Sequence, residues 1–514
     1  MSGKGQRFID AGYKDPKPLI EVEGRPIISH VIDLFSKKDE FIFICNRKHL
    51  ESTNMYSTLN KYCPSGRIID IDSHKKGPVY AVSKAYEYID NDEPVIINYC
   101  DFSCYWDYSK FLEWLKKVKC DGCIPSYKGF HPHSLGNTNY AYLREIDNKV
   151  KEIQEKKPYT NNRMNEFASS GTYYFAKGQY IKKYFNEAIQ KGLNTKGEYY
   201  CSLVYNLMIR DNLNINVYEL EHFMQWGTPS DLEEYIQWSD IFKDKIRSKN
   251  EHNKIGTTII PMAGKGSRFF KEGYKTPKPL IMINNQLMVI NSAKSLPKSE
   301  EYKFIYNKNI LNNGSFKESI SHEFSNSNFI ELNSTPPGQA ITCLEGVKDI
   351  DENKIINISA CDHAVTYDHE KFDELITKKD FDIIVWAKRG YKPAERNPLM
   401  YGWLDCDGQK VKAVSVKKPL SEPKNDPIII GTFTFREKNV YLTCLDNLLN
   451  RGGLVNNEYY IDAMLDDAIR LNLKCIIFEV EDFICWGTPN ELNTYLYWQS
   501  CFSKWKYHPY LKSN

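Results

Sequence analysis

Gly3-Lys4-Gly5-Gln6-Arg7-Phe8, followed by Pro16-Lys17-Pro18-Leu19-Ile20, is the stretch on which the reading of this chain turns, because it occurs twice. It returns as Gly264-Lys265-Gly266-Ser267-Arg268-Phe269, followed by Pro277-Lys278-Pro279-Leu280-Ile281, at an offset of 261 (Gly3 to Gly264, Lys17 to Lys278). The same offset carries Asp101 to Asp362. An offset of 260 carries Gly171-Thr172 to Gly431-Thr432, Glu198-Tyr199-Tyr200 to Glu458-Tyr459-Tyr460, and Trp226-Gly227-Thr228-Pro229 to Trp486-Gly487-Thr488-Pro489. Chance does not keep six blocks in register over such a length. A period this long marks a duplicated domain rather than a solenoid unit. Each half then needs its own core and can carry its own site.

The boundaries follow. The first domain is expected at 1–242, a polar and charged linker at 243–254, the second domain at 255–503 and a short tail at 504–514. Domains of this size bury a substantial core. Of the 514 residues, 41% are hydrophobic and 26% charged, ordinary for a globular chain, and the net charge is only +2. That balance argues against bulk attraction to nucleic acid or an anionic membrane. No apolar run reaches the length of a membrane span, and residue 1 already stands at the edge of the glycine-rich loop rather than in a signal peptide. Most of the 14 cysteines lie in apolar runs (Cys45, Cys100, Cys343, Cys475), where the thiol packs as a small hydrophobe. Cys120-Asp121-Gly122-Cys123 has no second pair at zinc-ligand spacing. Reduced cysteines without an export signal make a cytoplasmic location the expectation.

Within each half, short β-rich runs (Phe41–Cys45, Val95–Asn98, Ile355–Ile358, Phe381–Trp386) alternate with helical stretches (Pro26–Phe35, Val79–Ile89, Tyr108–Val118, Pro229–Phe242). Alternation of this kind predicts an α/β unit around a mixed, mostly parallel sheet. Hairpins are expected near Tyr140–Gln154 and Met400–Val416. The halves differ at their start. Thr257-Thr258-Ile259-Ile260-Pro261 reads as a strand feeding the second glycine loop, whereas Met1 aligns with Met262, so the first repeat lacks its opening strand.

Several residue types point to phosphate chemistry. Glycines in a tight turn after a strand let backbone N–H groups converge on an anion, and Arg7 and Arg268 add bidentate donors. Lys17 and Lys278 lie between two prolines, where the backbone is stiff. Asp101 and Asp362 end buried apolar runs, where open α/β sheets bind ligands; a carboxylate there can hold Mg2+ beside substrate phosphates or cap a following helix. Gly77 and Gly338 open a helix, a place for free N–H groups or a base edge and equally a plain helix start. Lys156 and Lys417 follow strand-like runs, as partners for a second phosphate or as solvated lysines.

Taken in order, G-x-G-x-R-F, P-K-P-L-I, the strand-terminal Asp, the Glu155-Lys156-Lys157-Pro158 segment, G-T-Y-Y-F, G-E-Y-Y and W-G-T-P resemble the sugar-phosphate nucleotidyltransferases, or NDP-sugar pyrophosphorylases, over nearly all of both repeats. The resemblance implies two tandem Rossmann-like domains of the GT-A type. It implies formation of an NDP-sugar and pyrophosphate from an NTP and a sugar 1-phosphate, with Mg2+, as in precursor supply for surface polysaccharides or other glycans. By the same resemblance Gly3, Gly5, Arg7 and Lys17, with Gly264, Gly266, Arg268 and Lys278, would hold the NTP phosphates; Gly77 and Gly338 would lie at the base. Asp101 and Asp362 would bind the metal. Lys156 and Lys417 would hold the sugar phosphate, and Gly171, Glu198, Gly431 and Glu458 would line the sugar pocket. The chain departs from the family pattern at Gln225 and Cys485, where a second metal-binding Asp is common, at Val416, which replaces the Glu before the Lys-Lys-Pro, and in the missing first strand. A cytidylyltransferase-like enzyme acting on a non-sugar phosphate, a nucleotide-binding regulatory module with one degenerate domain and, more distantly, a glycosyltransferase are the alternatives.

Overall fold

The computed structural model describes residues 1–244, 254–311 and 314–513, so most of the expected linker lies outside the described residues. The chain divides into two units: residues 1–247 with 496–514, and residues 248–495.

In the second unit, short β-branched runs pair because each can be buried on both faces. Strands β10 (Ile255–Pro261), β11 (Ser299–Asn307), β12 (Ser327–Leu332), β13 (Ile356–Ser359), β14 (Ile383–Lys388), β15 (Gly402–Asp407), β16 (Lys410–Val416), β17 (Ile428–Phe435) and β18 (Cys475–Glu479) form one sheet in the order β12-β11-β10-β13-β17-β14-β18-β16-β15. Pairing is parallel from β12 to β13 and antiparallel where β17 enters on either side, so the sheet is mixed. Strand β10 is central, and Ile259, Ile305 and Ile358 on it and its neighbours are fully buried.

The first unit has counterparts of every strand but β10. Strands β1 (Ile42–Asn46) and β2 (Arg67–Ile71) pair only with each other, in parallel. The others are β3 (Val95–Asn98), β4 (Gly122–Tyr127), β5 (Ala141–Ile146), β6 (Lys149–Glu155), β7 (Phe167–Ser169), β8 (Thr172–Phe175) and β9 (Ile215–Glu219), in the order β7-β5-β6-β9-β4-β8-β3. The sheet therefore splits between β1 and β3, at the position β10 holds in the other unit. The expected hairpins are β5–β6 and β15–β16. The fold class is α/β, Rossmann-like, with mixed sheets, but the sheets are not mostly parallel as expected: among the described strands of the seven-stranded sheet only β4 and β9 pair in parallel, because hairpins and the returning strands β7 and β8 supply the other pairings.

Two expectations change in detail. The helix expected over Val79–Ile89 is an α-helix over Gly77–Ser83 and a separate 3-10 turn over Tyr86–Tyr88. Residues 496–514, expected to close the second domain and form a tail, belong to the first unit. The Tyr497 hydroxyl donates to the Phe223 carbonyl and accepts from its N–H, both at 2.9 Å, the Trp505 ring lies against Trp226, and the His508 ring lies 3.2 Å from Ser239 Oγ. Aromatic side chains of this size carry much of the apolar burial, which is why a polar-looking terminus is held. No helix among the described residues is long and apolar enough to cross a membrane.

Candidate functional site

Each glycine loop turns on one residue. Gly5 (φ 67°) and Gly266 (φ 60°) are left-handed and start the short helices Gln6–Asp10 and Ser267–Lys271. A side chain there would be strained. Gly3 and Gly264 have open space where a Cβ would lie, so their surface is accessible rather than cramped. Arg7 and Arg268 are exposed beside the loops, and the buried Phe8 and Phe269 pin each helix beneath them.

The strand ends supply the carboxylates. A two-stranded ribbon pairs Phe102–Tyr105 with His222–Gln225, and Trp226 N–H donates to the Asp101 carbonyl at 3.0 Å. The buried Trp226 ring thereby anchors the turn next to Asp101. The second unit repeats the device with His363–Thr366, Asp482–Cys485 and a 2.8 Å bond from Trp486 to Asp362. Neither aspartate caps a helix; Asp107 and Asp368 do that for the helices that follow. Instead Lys17 Nζ donates to Asp101 Oδ2 at 2.9 Å and to the Gly227 carbonyl at 3.0 Å. Lys278 donates to Asp362 and, at 3.2 Å, to the Gly487 carbonyl. Burial opposes charge on both lysines, yet the facing aspartates more than offset it and hold the lysine pKa values above normal. Partial burial opposes charge on Asp362, but Lys278 and His363 more than offset it and hold its carboxyl well below the usual carboxylate range.

A second cluster forms around the other lysine. Lys156 and Lys417 both sit at φ 60°, in the left-handed region. Strain of that kind at a non-glycine residue needs the surroundings to impose it, and here it recurs in both units. Lys156 Nζ donates to the Tyr200 hydroxyl at 2.6 Å, and that hydroxyl donates to Glu198. Lys417 Nζ donates to the Tyr460 hydroxyl at 3.0 Å, with Glu458 on the far side. The charge of Arg7 acts weakly on both Lys17 and Tyr200. Arg268 likewise acts on Tyr460.

The remaining glycines bring these parts together. Gly77 has φ 82°, and a Cβ on it would lie 2.7 Å from the Tyr199 backbone N and O. Gly338, at φ 110°, is similarly pressed against Tyr459. The helix starts are thus packed onto the Glu-Tyr-Tyr segments, with Val79 N–H donating to the Tyr199 carbonyl at 3.1 Å. Gly77→Ala and Gly338→Ala should each destabilise their unit by about 1–3 kcal/mol, the range for forced overpacking; an unchanged melting temperature in both variants would refute the constraint. Gly171 (φ 94°) and Gly431 (φ 79°) accept from Tyr99 and Ala360, two residues before the aspartates.

The structure adds residues that sequence reading passed over. Tyr200 and Tyr460 are the direct partners of the second lysines. Glu155, half-buried, accepts from Ser202 Oγ at 2.6 Å, and burial pushes its pKa up to about 7. In the second unit Val416 takes the place of Glu155, but Asp462 takes the place of Ser202, and burial pushes Asp462 up to about 6, with Lys417 opposing. The carboxyl beside the second lysine has moved from strand to helix. A reciprocal change, Glu with Ser against Val with Asp, was the available signal, but nothing local says the two positions touch.

This carboxyl makes a pH prediction. Its folded pKa lies above the ordinary 4.5 of Glu, so the folded state binds more protons between about 4.5 and 7. The stability it contributes is complete below that window and is lost as pH rises through it. Glu155→Gln is neutral throughout. The melting temperature of the variant relative to the parent should therefore climb between pH 5 and 8; a flat difference would refute the raised pKa.

Among the described residues no three His, Cys, Asp or Glu side chains converge as a ligand set. Asp101 has Gln225 rather than a carboxylate beside it: a Cβ on Gly227 would lie 2.9 Å from Gln225 Nε2 and 3.0 Å from Asp101 Oδ2. At Gly487 the neighbours are Cys485 Sγ at 3.2 Å and Asp362 Oδ2 at 3.4 Å. One hard oxygen donor per unit does not make a protein cage. It does fit Mg2+, which keeps waters and takes substrate phosphates with one or two carboxylates.

A left-handed glycine loop, a carboxylate paired with a lysine and a second lysine cluster thus recur in both units. The family match supports the nucleotidyltransferase superfamily. Residues 1–160 match the MobA-like NTP transferase domain. The chain is 24% identical over 267 residues to the bifunctional protein GlmU of Alkaliphilus metalliredigens, covering 50% of this chain and 54% of that protein. It is 24% identical over 265 residues to GlmU of Methanocaldococcus jannaschii, covering 50% and 58%. The chain thus spans little more than half the length of the curated relatives it matches. Among solved structures, it is similar to a nucleoside-diphosphate-sugar pyrophosphorylase from Vibrio cholerae RC9 (TM-score 0.40, 20% identity, 46% of this chain and 99% of that one). It is also similar to the inositol-1-phosphate CTP transferase from T. maritima (TM-score 0.39, 13% identity, 49% and 98%).

Proposed function

We propose that each unit transfers a nucleotidyl group from an NTP to a sugar 1-phosphate, forming an NDP-sugar and releasing pyrophosphate. The observation that supports it most is the pair of cationic clusters in each unit, Lys17 with Asp101 and Lys156 with Tyr200 and Glu198, repeated around Lys278 and Lys417. Two phosphate-bearing substrates need two such places.

In this reading the loop N–H groups and Arg7 or Arg268 take the triphosphate, while Lys17 or Lys278 exchanges its aspartate for a phosphate oxygen. Lys156 or Lys417 holds the phosphate of the second substrate, with Tyr200 or Tyr460 fixing the ammonium. Gly77 and Gly338 hold the helix starts where the base would lie, and Gly171, Glu198, Gly431 and Glu458 face the sugar. The acceptor phosphate is already anionic at neutral pH, so no general base is needed. An oxygen of that phosphate attacks the α-phosphorus in line as the bond to pyrophosphate breaks. Positioning and charge neutralisation supply most of the catalysis in such transfers. Mg2+ held by Asp101 or Asp362 would neutralise charge on the phosphates when bound.

A matrix of NTPs against sugar 1-phosphates and non-sugar phosphates, read by pyrophosphate release from the full chain, tests this. Metal-dependent release with one NTP and one sugar 1-phosphate is expected. Release only with a non-sugar phosphate would transfer the activity to that acceptor class, and none with any pair would favour a binding module.

A further inference from the structure

The two units repeat their lysines, tyrosines and glycines around the second lysine, but not the wall beside them. In the first unit Tyr99, just past β3, lies against Gly171: a Cβ on that glycine would come within 2.9 Å of the Tyr99 ring. The Tyr173 ring stands 5.7 Å from it, edge to face, and the Glu155 carboxyl acts on both phenols. Ser202 Oγ donates to Glu155 at 2.6 Å. In the second unit Ala360 takes the place of Tyr99, Phe433 that of Tyr173 and Val416 that of Glu155. The backbone register is the same, since Tyr99 N–H donates to the Gly171 carbonyl at 3.0 Å and Ala360 N–H to the Gly431 carbonyl at 3.1 Å. A Cβ on Gly431 would meet only the Ala360 Cβ at 3.6 Å and His363 Cε1 at 4.0 Å, both ordinary contacts. Asp462, which brings a carboxyl back near Lys417, is turned to Gly402 on β15.

We infer that the two units take two different acceptors: the first a sugar phosphate that presents hydroxyls to Tyr99 and Glu155, the second a sugar phosphate that carries an acylamino group over Gly431, Ala360 and Val416. The inference rests on the transfer reaction proposed above and widens its acceptor from one to two. Lys156 with Tyr200 and Lys417 with Tyr460 are built alike, so the phosphate does not set the choice. The wall does.

Tyr99, Glu155, Ala360 and Val416 are all half-buried, so each borders the space beside its lysine instead of lying in the core. In the first unit that border is a phenol ring pressed on Gly171 and a carboxyl that burial keeps largely protonated near neutral pH, with a pKa of about 7. A protonated carboxyl both donates and accepts, which suits a sugar hydroxyl, and the ring leaves no room for a bulkier group. In the second unit the ring is gone and the border is a methyl and an isopropyl group. An acyl chain there buries apolar surface against apolar surface, whereas a hydroxyl would find no partner on Ala360 or Val416. A site built to hydrogen-bond a hydroxyl rejects the analogue lacking it more strongly than an apolar site rejects an added hydroxyl, so the first unit is the stricter of the two.

The test is equilibrium binding to the full chain, by calorimetry, of glucose and galactose 1-phosphates and of their acetamido derivatives at carbons 2, 3 and 4. In the parent, saturation with the best plain sugar phosphate should leave the affinity for the best acetamido ligand unchanged, because the two occupy different units. Ala360→Tyr should weaken the acetamido ligand by about tenfold or more, the scale of one misfitted group in a pocket, and leave the plain one unchanged. Tyr99→Ala with Glu155→Val, which copies the second wall into the first unit, should add a second acetamido site. Mutual competition in the parent, loss of both ligands together in a folded Ala360→Tyr protein, or binding of neither class would overturn the inference; if Ala360→Tyr does not fold, the competition in the parent decides. Pyrophosphate release is read separately with NTP and metal. Release with competing ligands leaves the transfer standing and removes the division of acceptors. Separate binding without release keeps the two sites and removes the transfer.

Discussion

Asp101→Asn together with Asp362→Asn lowers metal-dependent turnover of the full chain at least tenfold, about 1.4 kcal/mol of barrier. Asparagine keeps the shape of the side chain and removes the charge. In each unit that charge lies just past a strand, Val95–Asn98 or Ile356–Ser359, and already attracts a lysine, at 2.9 Å for Lys17 and Asp101. The double change is needed because the proposed reaction is assigned to both units. Its reading is clean only if folding is intact, since Lys17 and Lys278 lose the partners that sustain their charge. A metal titration separates the effects: loss of metal response with an unchanged melting temperature is the expected result. Unchanged turnover in the double variant would remove both aspartates from the metal's coordination.

In the proposed reaction the lysines divide by substrate. Lys17→Ala with Lys278→Ala should weaken NTP binding about tenfold or more, within the 1.5–3 kcal/mol of a hydrogen bond to a charged group. Lys156→Ala with Lys417→Ala should leave NTP binding nearly unchanged and raise KM for the second substrate by a similar factor. The separation follows from geometry, because the first pair faces the strand-end carboxylates and the second pair faces Tyr200 and Tyr460. Equilibrium binding of NTP with and without metal reads the first pair, and steady-state kinetics read the second. A reversed pattern would exchange the two subsites.

Much of the architecture was legible because its signals are local. Val95–Asn98 and the hairpins on either side of Asp147-Asn148 and Asp407-Gly408 read as strands since apolar runs between turn residues have few other ways to be buried. The split of Val79–Ile89 was not, because the α-helix stops at Ser83 and the next turn forms around Tyr86, whose hydroxyl is buried. The C-terminal segment was misassigned for a related reason. Tyr497, Trp505 and His508 are scattered among polar residues, and their partners Phe223, Trp226 and Ser239 are more than 260 positions away. Asp462 was invisible for the same reason, its significance resting on proximity to Lys417.

The sequence by itself determined the duplication, the α/β class, the glycine loops and the identities of the charged residues, because repetition and periodicity are properties of the chain read in order. Only the tertiary structure decided that Lys17 meets Asp101 and that Lys156 meets Tyr200. It also decided that a carboxyl lost at Val416 is restored by Asp462. Those outcomes depend on which distant segments share one low-dielectric space, where an ammonium and a carboxylate fix each other's charge.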